Sequence, residues 1–201
     1  MRYAMVIDQK RCSGCDACAI ACKQSNSTGP GVFWSHVNKV EEGTYPNARQ
    51  VFTPVLCNQC ENPACVEACP TGATYRRDDG IVTVDSATCI GCSACIAACP
   101  YEGVRHLVPE DALGYYGELG LTPFETARYA EHTPNTVEKC DFCAHRLDSG
   151  KLPACVQCCP ARARIFGDLD DPTSEVAQLL AAREATQLLA DQGTDPQVYY
   201  V

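Results

Sequence analysis

Seventeen cysteines occur among 201 residues, and their positions say more than their number. They fall at Cys12, Cys15, Cys18 and Cys22; at Cys57, Cys60, Cys65 and Cys69; at Cys89, Cys92, Cys95 and Cys99; and at Cys140, Cys143, Cys155, Cys158 and Cys159. The first and third groups read C-x2-C-x2-C-x3-C, the second C-x2-C-x4-C-x3-C, and the fourth C-x2-C-x11-C-x3-C when it ends at Cys159. Pro70, Pro100 and Pro160 follow the last cysteine of three groups. Three thiolates at i, i+3 and i+6 on one loop can grip three corners of a cubane iron–sulfur cluster, and a fourth Cys shortly afterwards, opening a helix that points elsewhere, serves a second cluster. Structural zinc sites use two Cys or His pairs separated by roughly a dozen residues or more. A disulfide framework would leave an odd thiol in each loop. Four 4Fe–4S clusters are therefore expected, with sixteen cysteines as iron ligands and one left over.

This pattern resembles that of bacterial two-cluster ferredoxins, in which the fourth Cys of each run ligates the other cluster. Between the second and third groups, Ala73–Arg77 and Ile81–Asp85 read as two strands around an Asp78-Asp79-Gly80 turn, so motif, hairpin and motif make one unit. Within it Cys57, Cys60 and Cys65 are expected to share a cluster with Cys99, and Cys89, Cys92 and Cys95 with Cys69. By the same logic the outer groups form a second unit interrupted by the first: Cys12, Cys15 and Cys18 with Cys159, and Cys140, Cys143 and Cys155 with Cys22. Cys155-x2-Cys158 imitates a ligand pair, but Cys159 has the x3 spacing and the following proline. Cys159 is therefore taken as the ligand and Cys158 as a small buried thiol.

The fold class expected is α+β: two ferredoxin-like units related by a pseudo-twofold, one inserted in the other, with loop insertions and a C-terminal helix and tail. The outer unit takes residues 1–50 and 135–167, with an insertion at 23–50; the inner unit takes 51–108. Residues 109–134 form an insertion loop, and 168–201 an acidic helix and tail suited to partner docking. Ala4–Asp8 and Val51–Leu56 read as strands feeding ligand loops. Gly14 and Gly91 sit where backbone must come close to a cluster. The stretches 23–50 and 100–139 are too long for idle connectors and are read as partner-facing. Val176, Leu179, Leu180 and Arg183 keep helical spacing behind a Thr173 N-cap, which predicts a helix over 173–190. Trp34 is read as a packing anchor.

The net charge of −9 opposes a nucleic-acid face, which needs a basic patch. Seven acids and one base lie in 168–201, so most of that charge is C-terminal. The most apolar stretch, Val176–Ala190, is broken by Arg183 and Glu184, and no membrane span is expected. The first residues lack the apolar core of a secretion signal. There is no nucleophile–base constellation and no G-x-G-x-x-G, so no catalytic site is expected on this chain. Lys23, Lys139, His145 and Arg146 lie within a few residues of expected ligands, where cations would raise a cluster's reduction potential.

Several segments resemble the four-cluster iron–sulfur subunit of molybdopterin oxidoreductases of the dimethyl-sulfoxide-reductase superfamily. They are Lys10–Cys18 with Ala21-Cys22-Lys23, Leu56–Cys65, Cys89–Cys92 through Ala98–Tyr101, and Lys139–Cys143 with Pro153-Ala154-Cys155. The last is the most telling, because simple ferredoxins lack it. Phe33–Val37 with Glu42–Pro46 is similar to electron-transfer subunits of respiratory arsenate reductases and of thiosulfate or polysulfide enzymes. Gly193–Tyr200 is similar to the C-terminus of transhydroxylase and catechol dehydroxylase small subunits and of some arsenate reductases. Those transhydroxylase subunits lack part of the Cys set, which is complete here, so the resemblance favours net electron transfer. None of the sixteen positions is Trp, so no 3Fe–4S site is implied.

The resemblance implies a wire for single electrons to or from a molybdenum or tungsten bis-pterin catalytic subunit, the cluster of Cys12, Cys15, Cys18 and Cys159 facing that subunit. The catalytic partner would reduce arsenate, a sulfur oxyanion, a sulfoxide or a catechol. The other redox partner would be a membrane quinol-oxidising subunit or a separate carrier. Location would be cytoplasmic, or across the membrane by co-export with a partner that bears a twin-arginine signal. A subunit of a formate dehydrogenase or hydrogenase is the alternative, and a zinc-stabilised interaction protein the alternative from another class.

Overall fold

Tyr3–Ile7 forms strand β1, and its Ala-Met-Val-Ile run is fully buried. Such an unbroken apolar run marks a strand covered on both faces rather than an alternating edge. In the computed structural model, which describes residues 1–111 and 114–201, β1 is the centre of a three-stranded sheet. Strand β8 (Arg164–Asp168) pairs with it antiparallel and β9 (Val198–Tyr200) parallel. Residues 112 and 113, within the 109–134 insertion, lie outside the described residues.

One local device is used four times. The third cysteine of each motif is the second residue of a helix that an Ala opens: α1 (Ala17–Asn26), α2 (Ala64–Glu67), α3 (Ala94–Ala97) and α6 (Ala154–Gln157). Three of these helices last a single turn because Pro70, Pro100 or Pro160 follows the fourth cysteine, removing an N–H and disfavouring helix before it. The first motif has Lys23 in place of that proline, so α1 runs on to Asn26 and keeps Cys22 within the helix.

The hairpin read around Asp78–Gly80 is present, as β4 (Thr74–Arg76) antiparallel to β5 (Val82–Val84). The 23–50 stretch is more ordered than an insertion loop. After α1 it becomes β2 (Ser35–Glu42), paired along its whole length with β3 (Arg49–Leu56), so the strand read at 51–56 starts two residues earlier. The base of this hairpin is buried at Ser35, Val55 and Leu56, while Tyr45 at its tip is 94% exposed. Strand β6 (Arg105–Leu107) pairs with β7 (Val137–Lys139), closing off the second insertion. That insertion holds α4 (Pro123–Tyr129), which starts in a capping box between Thr122 and Glu125. Helix α5 (Ala144–Leu147) follows Cys143.

The C-terminal helix differs from the expected 173–190. Helix α7 spans Glu175–Ala182, and its N-cap is Ser174, whose Oγ accepts the Ala177 N–H at 3.1 Å. Thr173 is engaged by the Asp171 carboxylate instead. The helix stops because Arg183 turns extended and reaches Asp8 at 2.8 Å. Downstream, Thr194, Gln197, Val198 and Tyr200 are all buried. No helix among the described residues is long and apolar enough to cross a membrane. The largest core joins Met5, Ile7, Leu56, Ile81, Phe142 and Val198 with Cys18, Cys57, Cys140 and Cys155, so cysteines from three motifs share one interior.

Candidate metal centre

Cys12, Cys15, Cys18 and Cys159 line one small cavity. Three come from the loop after β1 and the start of α1, and the fourth from the end of α6. Burial pushes the Cys12 thiol up, and the neighbouring Cys18 and Cys159 add to this. Cys22 is a single helical turn from Cys18 but belongs to other company. Burial first, and then the thiols of Cys155 and Cys143, push its pKa up. Cys140, also buried, is raised for the same reasons, with Cys22, Cys143 and Cys155 around it. Asn26 stands one turn after Cys22, and its amide donates to the Cys22 sulfur at 3.4 Å and the Cys143 sulfur at 3.8 Å.

In the middle of the chain, Cys57, Cys60, Cys65 and Cys99 come together. Burial lifts Cys60 to about 11, helped by Cys57 and Cys65. Cys99 is raised by burial and by Cys57 and Cys65 as well. For Cys69, Cys89, Cys92 and Cys95, helices α2 and α3 pack against each other, and two of the sulfurs accept backbone N–H groups. Thr74 donates to Cys69 and Val137 to Cys89, each at 3.4 Å. Burial alone would raise Cys69, but the hydrogen bonds from Thr74 and Thr71 outweigh it and bring the thiol down to about 7.

Cys158 and Cys159 behave differently. The Cys158 thiol points at carbonyl oxygens, Ala17 at 3.4 Å and Cys155 at 3.6 Å, so it acts as a donor, and burial lifts it to about 11. The Cys159 sulfur accepts the Ala163 N–H at 3.3 Å, as Cys69 accepts that of Thr74.

Of the four cations expected near the ligands, Lys139 is one whose charge acts on a sulfur, that of Cys65. Lys23 Nζ donates to the carbonyls of Gly29 and Val32 at 2.8 and 2.9 Å and orders the loop after α1. Lys139, 3% exposed, binds the carbonyls of Val82 and Cys140. Arg146 holds the Leu152 carbonyl, and His145 is exposed. Arg164 donates to Cys18 Sγ at 3.4 Å, and Arg105 lies among Cys65, Cys57, Cys95 and Cys99. The sequence carries a faint mark of both, since each begins the strand that follows a Cys-Pro, five or six residues on.

Gln59 was also unmarked. It is 1% exposed, and its amide links the second motif to Cys140 and to β5. The loop from Asn58 to Asn62 is strapped by residues 194–197. Gln197 N–H donates to the Asn58 carbonyl, and Glu61 and Asn62 N–H groups donate to the carbonyls of Asp195 and Thr194, all within 2.8–3.0 Å. Tyr101 and Thr194 join their hydroxyls at 2.6 Å beside Cys60.

All-sulfur donor sets bordered by N–H groups and guanidinium, one of them (Cys22, Cys140, Cys143 and Cys155) buried throughout and two others reaching the surface at Cys15 and Cys92, suit a polynuclear iron–sulfur group, whose thiolates and sulfides need such donors. Four buried thiols beside one another cannot all ionise without a cationic centre to share them.

Comparison with known proteins defines the class. The family model described as "4Fe-4S dicluster domain" matches residues 48–112 and 118–169, more than half of the chain, and the protein belongs to that family of iron–sulfur electron-transfer proteins. Among its relatives is the arsenate respiratory reductase iron-sulfur subunit ArrB of Shewanella sp. (strain ANA-3), 40% identical across 100% of this chain and 96% of the relative. A putative iron-sulfur subunit of dimethyl sulfoxide reductase from Halobacterium salinarum is 44% identical over 99% of this chain and 78% of its own length. A tetrathionate reductase subunit from Salmonella typhimurium is 42% identical over 100% and 72%.

Proposed function

We propose that this chain is the electron relay of a reductase complex and holds four 4Fe–4S clusters. Their ligands are Cys12, Cys15, Cys18 and Cys159; Cys57, Cys60, Cys65 and Cys99; Cys89, Cys92, Cys95 and Cys69; and Cys140, Cys143, Cys155 and Cys22. The observation that carries this reading is the division of the first motif: Cys12, Cys15 and Cys18 border a cavity with Cys159, whereas Cys22 lies with Cys140, Cys143 and Cys155. That three-to-one division supports two ferredoxin-like units related by a pseudo-twofold. The outer unit is built from 1–50 and 135–167, and the inner unit, 51–108, is inserted in it. The 109–134 insertion and the exposed acids of 168–175 are the surfaces offered to partners.

When bound, such clusters take up and release one electron each. The chain's own contribution is positional. The short helices fix the third cysteine of each motif, and the shared core covers Cys18, Cys57, Cys140 and Cys155. The N–H groups of Thr74, Val137 and Ala163, with the Asn26 amide, offset thiolate charge. Cys57 and Cys140, one from each unit, are close enough to influence one another, which gives the two units a short joint.

The partner is a molybdopterin catalytic subunit that reduces an oxyanion, sulfoxide or catechol, as the kinship with arsenate, dimethyl sulfoxide and tetrathionate reductase subunits supports. A membrane quinol-oxidising subunit or a separate carrier stands on the other side. The complex works in the cytoplasm or is exported with its partner. Anaerobic purification of the complex tests the reading, with about four irons and four sulfides per cubane and molybdenum or tungsten with pterin in the catalytic subunit. A colourless protein holding zinc and no labile sulfide would end it.

A further inference from the structure

Arg105 is 5% exposed and Arg164 3% exposed. Each opens a strand, Arg105 in β6 six residues after Cys99 and Arg164 in β8 five residues after Cys159. A buried guanidinium costs several kcal/mol, about as much as any buried ion, unless charge or acceptors offset it. The groups around these two are sulfur and hydroxyl, not carboxylate. Arg164 donates to Cys18 Sγ at 3.4 Å and to Ser35 Oγ at 3.0 Å, with Cys155 and Cys140 alongside. Both terminal nitrogens of Arg105 are buried with no hydrogen-bond partner among the described residues, and Cys65, Cys57, Cys95 and Cys99 surround them.

In both halves of the molecule these neighbours come from both ligand sets of the unit. Around Arg105, Cys57, Cys65 and Cys99 belong to one ligand set of the inner unit and Cys95 to the other. Around Arg164, Cys18 belongs to one ligand set of the outer unit, and Cys155 and Cys140 to the other. We propose that each arginine is the counter-charge shared by the two clusters of its own unit, raising both reduction potentials together. The negative charge that balances the guanidinium is then supplied by the thiolates, and it grows by one with each electron taken up. A guanidinium stays charged at every pH the protein meets, so this contribution does not titrate. The inference rests on the cluster assignment proposed above.

The test is a redox titration followed by electron paramagnetic resonance on the intact complex, with iron counted in every sample. R105Q is expected to lower two of the four midpoints by at least a tenfold change in the one-electron equilibrium, or 59 mV, and R164Q to lower the other two. R105K and R164K keep the charge, and wild-type iron with midpoints restored most of the way supports the proposal. They also cover the case in which a buried glutamine costs the fold. Loss of iron in the lysine variants too would make the arginines packing residues and overturn it. Full iron with unmoved midpoints, or the same pair moved by both glutamine variants, overturns this inference alone. A wild type with fewer than four clusters overturns the assignment beneath it as well.

Discussion

The Gln59 side-chain amide donates to the Cys140 carbonyl at 2.6 Å, while its oxygen accepts the Val82 N–H at 2.7 Å. One buried side chain thus ties the second cysteine motif to the fourth and to the inner hairpin. Gln59→Leu keeps the volume but strands the buried Val82 N–H, at a cost of about 1–3 kcal/mol, while the Cys140 carbonyl keeps its bond from Lys139 Nζ. Thermal unfolding of the anaerobic holoprotein should fall by roughly 2–4 °C per kcal/mol lost. A melting point within a degree of wild type would mean that Gln59 bridges nothing of consequence.

Cys158 and Cys159 are adjacent but face opposite tasks, one thiol donating to carbonyls and the other sulfur accepting an N–H. Cys158→Ser should retain all of about sixteen irons, four per cubane, because a hydroxyl can make the same donations. Cys159→Ser should lose one cluster or convert it to a three-iron form, visible by iron analysis and paramagnetic resonance. The reverse pattern would exchange their roles.

Gly91 has φ +66°, and a Cβ there would stand 2.1 Å from the Asn135 carbonyl oxygen. Backbone cannot yield as a flexible side chain can, so Gly91→Ala should cost about 1–3 kcal/mol or more and weaken the hold on iron in the Cys89–Cys95 loop. Gly103 has nearly the same φ with nothing within 4 Å, and Gly103→Ala is the matched control. Equal iron retention in the two variants would remove Asn135 from the explanation.

His132 Nδ1 meets Glu138 Oε1 at 2.5 Å, and this hydrogen bond raises the imidazole pKa above its ordinary value. A pKa raised on folding contributes stability that is fully present below about 6.5, the unfolded value, and lost as pH rises through the folded one. The difference in melting temperature between wild type and His132→Gln should therefore shrink as pH rises above about 6.5. A constant difference from pH 5.5 to 8.5 would show that the pair contributes no proton-linked stability.

Local elements were the most legible in the sequence. The cysteine spacing is covalent information, and the Asp78–Gly80 turn was visible between two β-rich runs. What escaped depends on partners far along the chain. Helix α7 ends at Ala182 because Arg183 meets Asp8, 175 residues away. Strand β2 was hidden because its outer half, Asn38 to Glu42, is polar and gains its order from pairing with β3. Arg105 and Arg164 went unmarked because a single arginine has no periodicity, while Lys23 lies near a motif yet spends its charge on carbonyls.

The segment 194–200 closes two distant parts at once, strapping the Asn58–Asn62 loop and supplying β9 to the parallel edge of β1. During synthesis the Asn58–Asn62 loop, which lies between Cys57 and Cys65, therefore stays unfastened until residue 197 has left the ribosome, and β1 lacks one neighbour until residue 200 has. A chain cut before residue 194 would leave the Asn58–Asn62 loop without three of its backbone partners and β1 without its parallel neighbour.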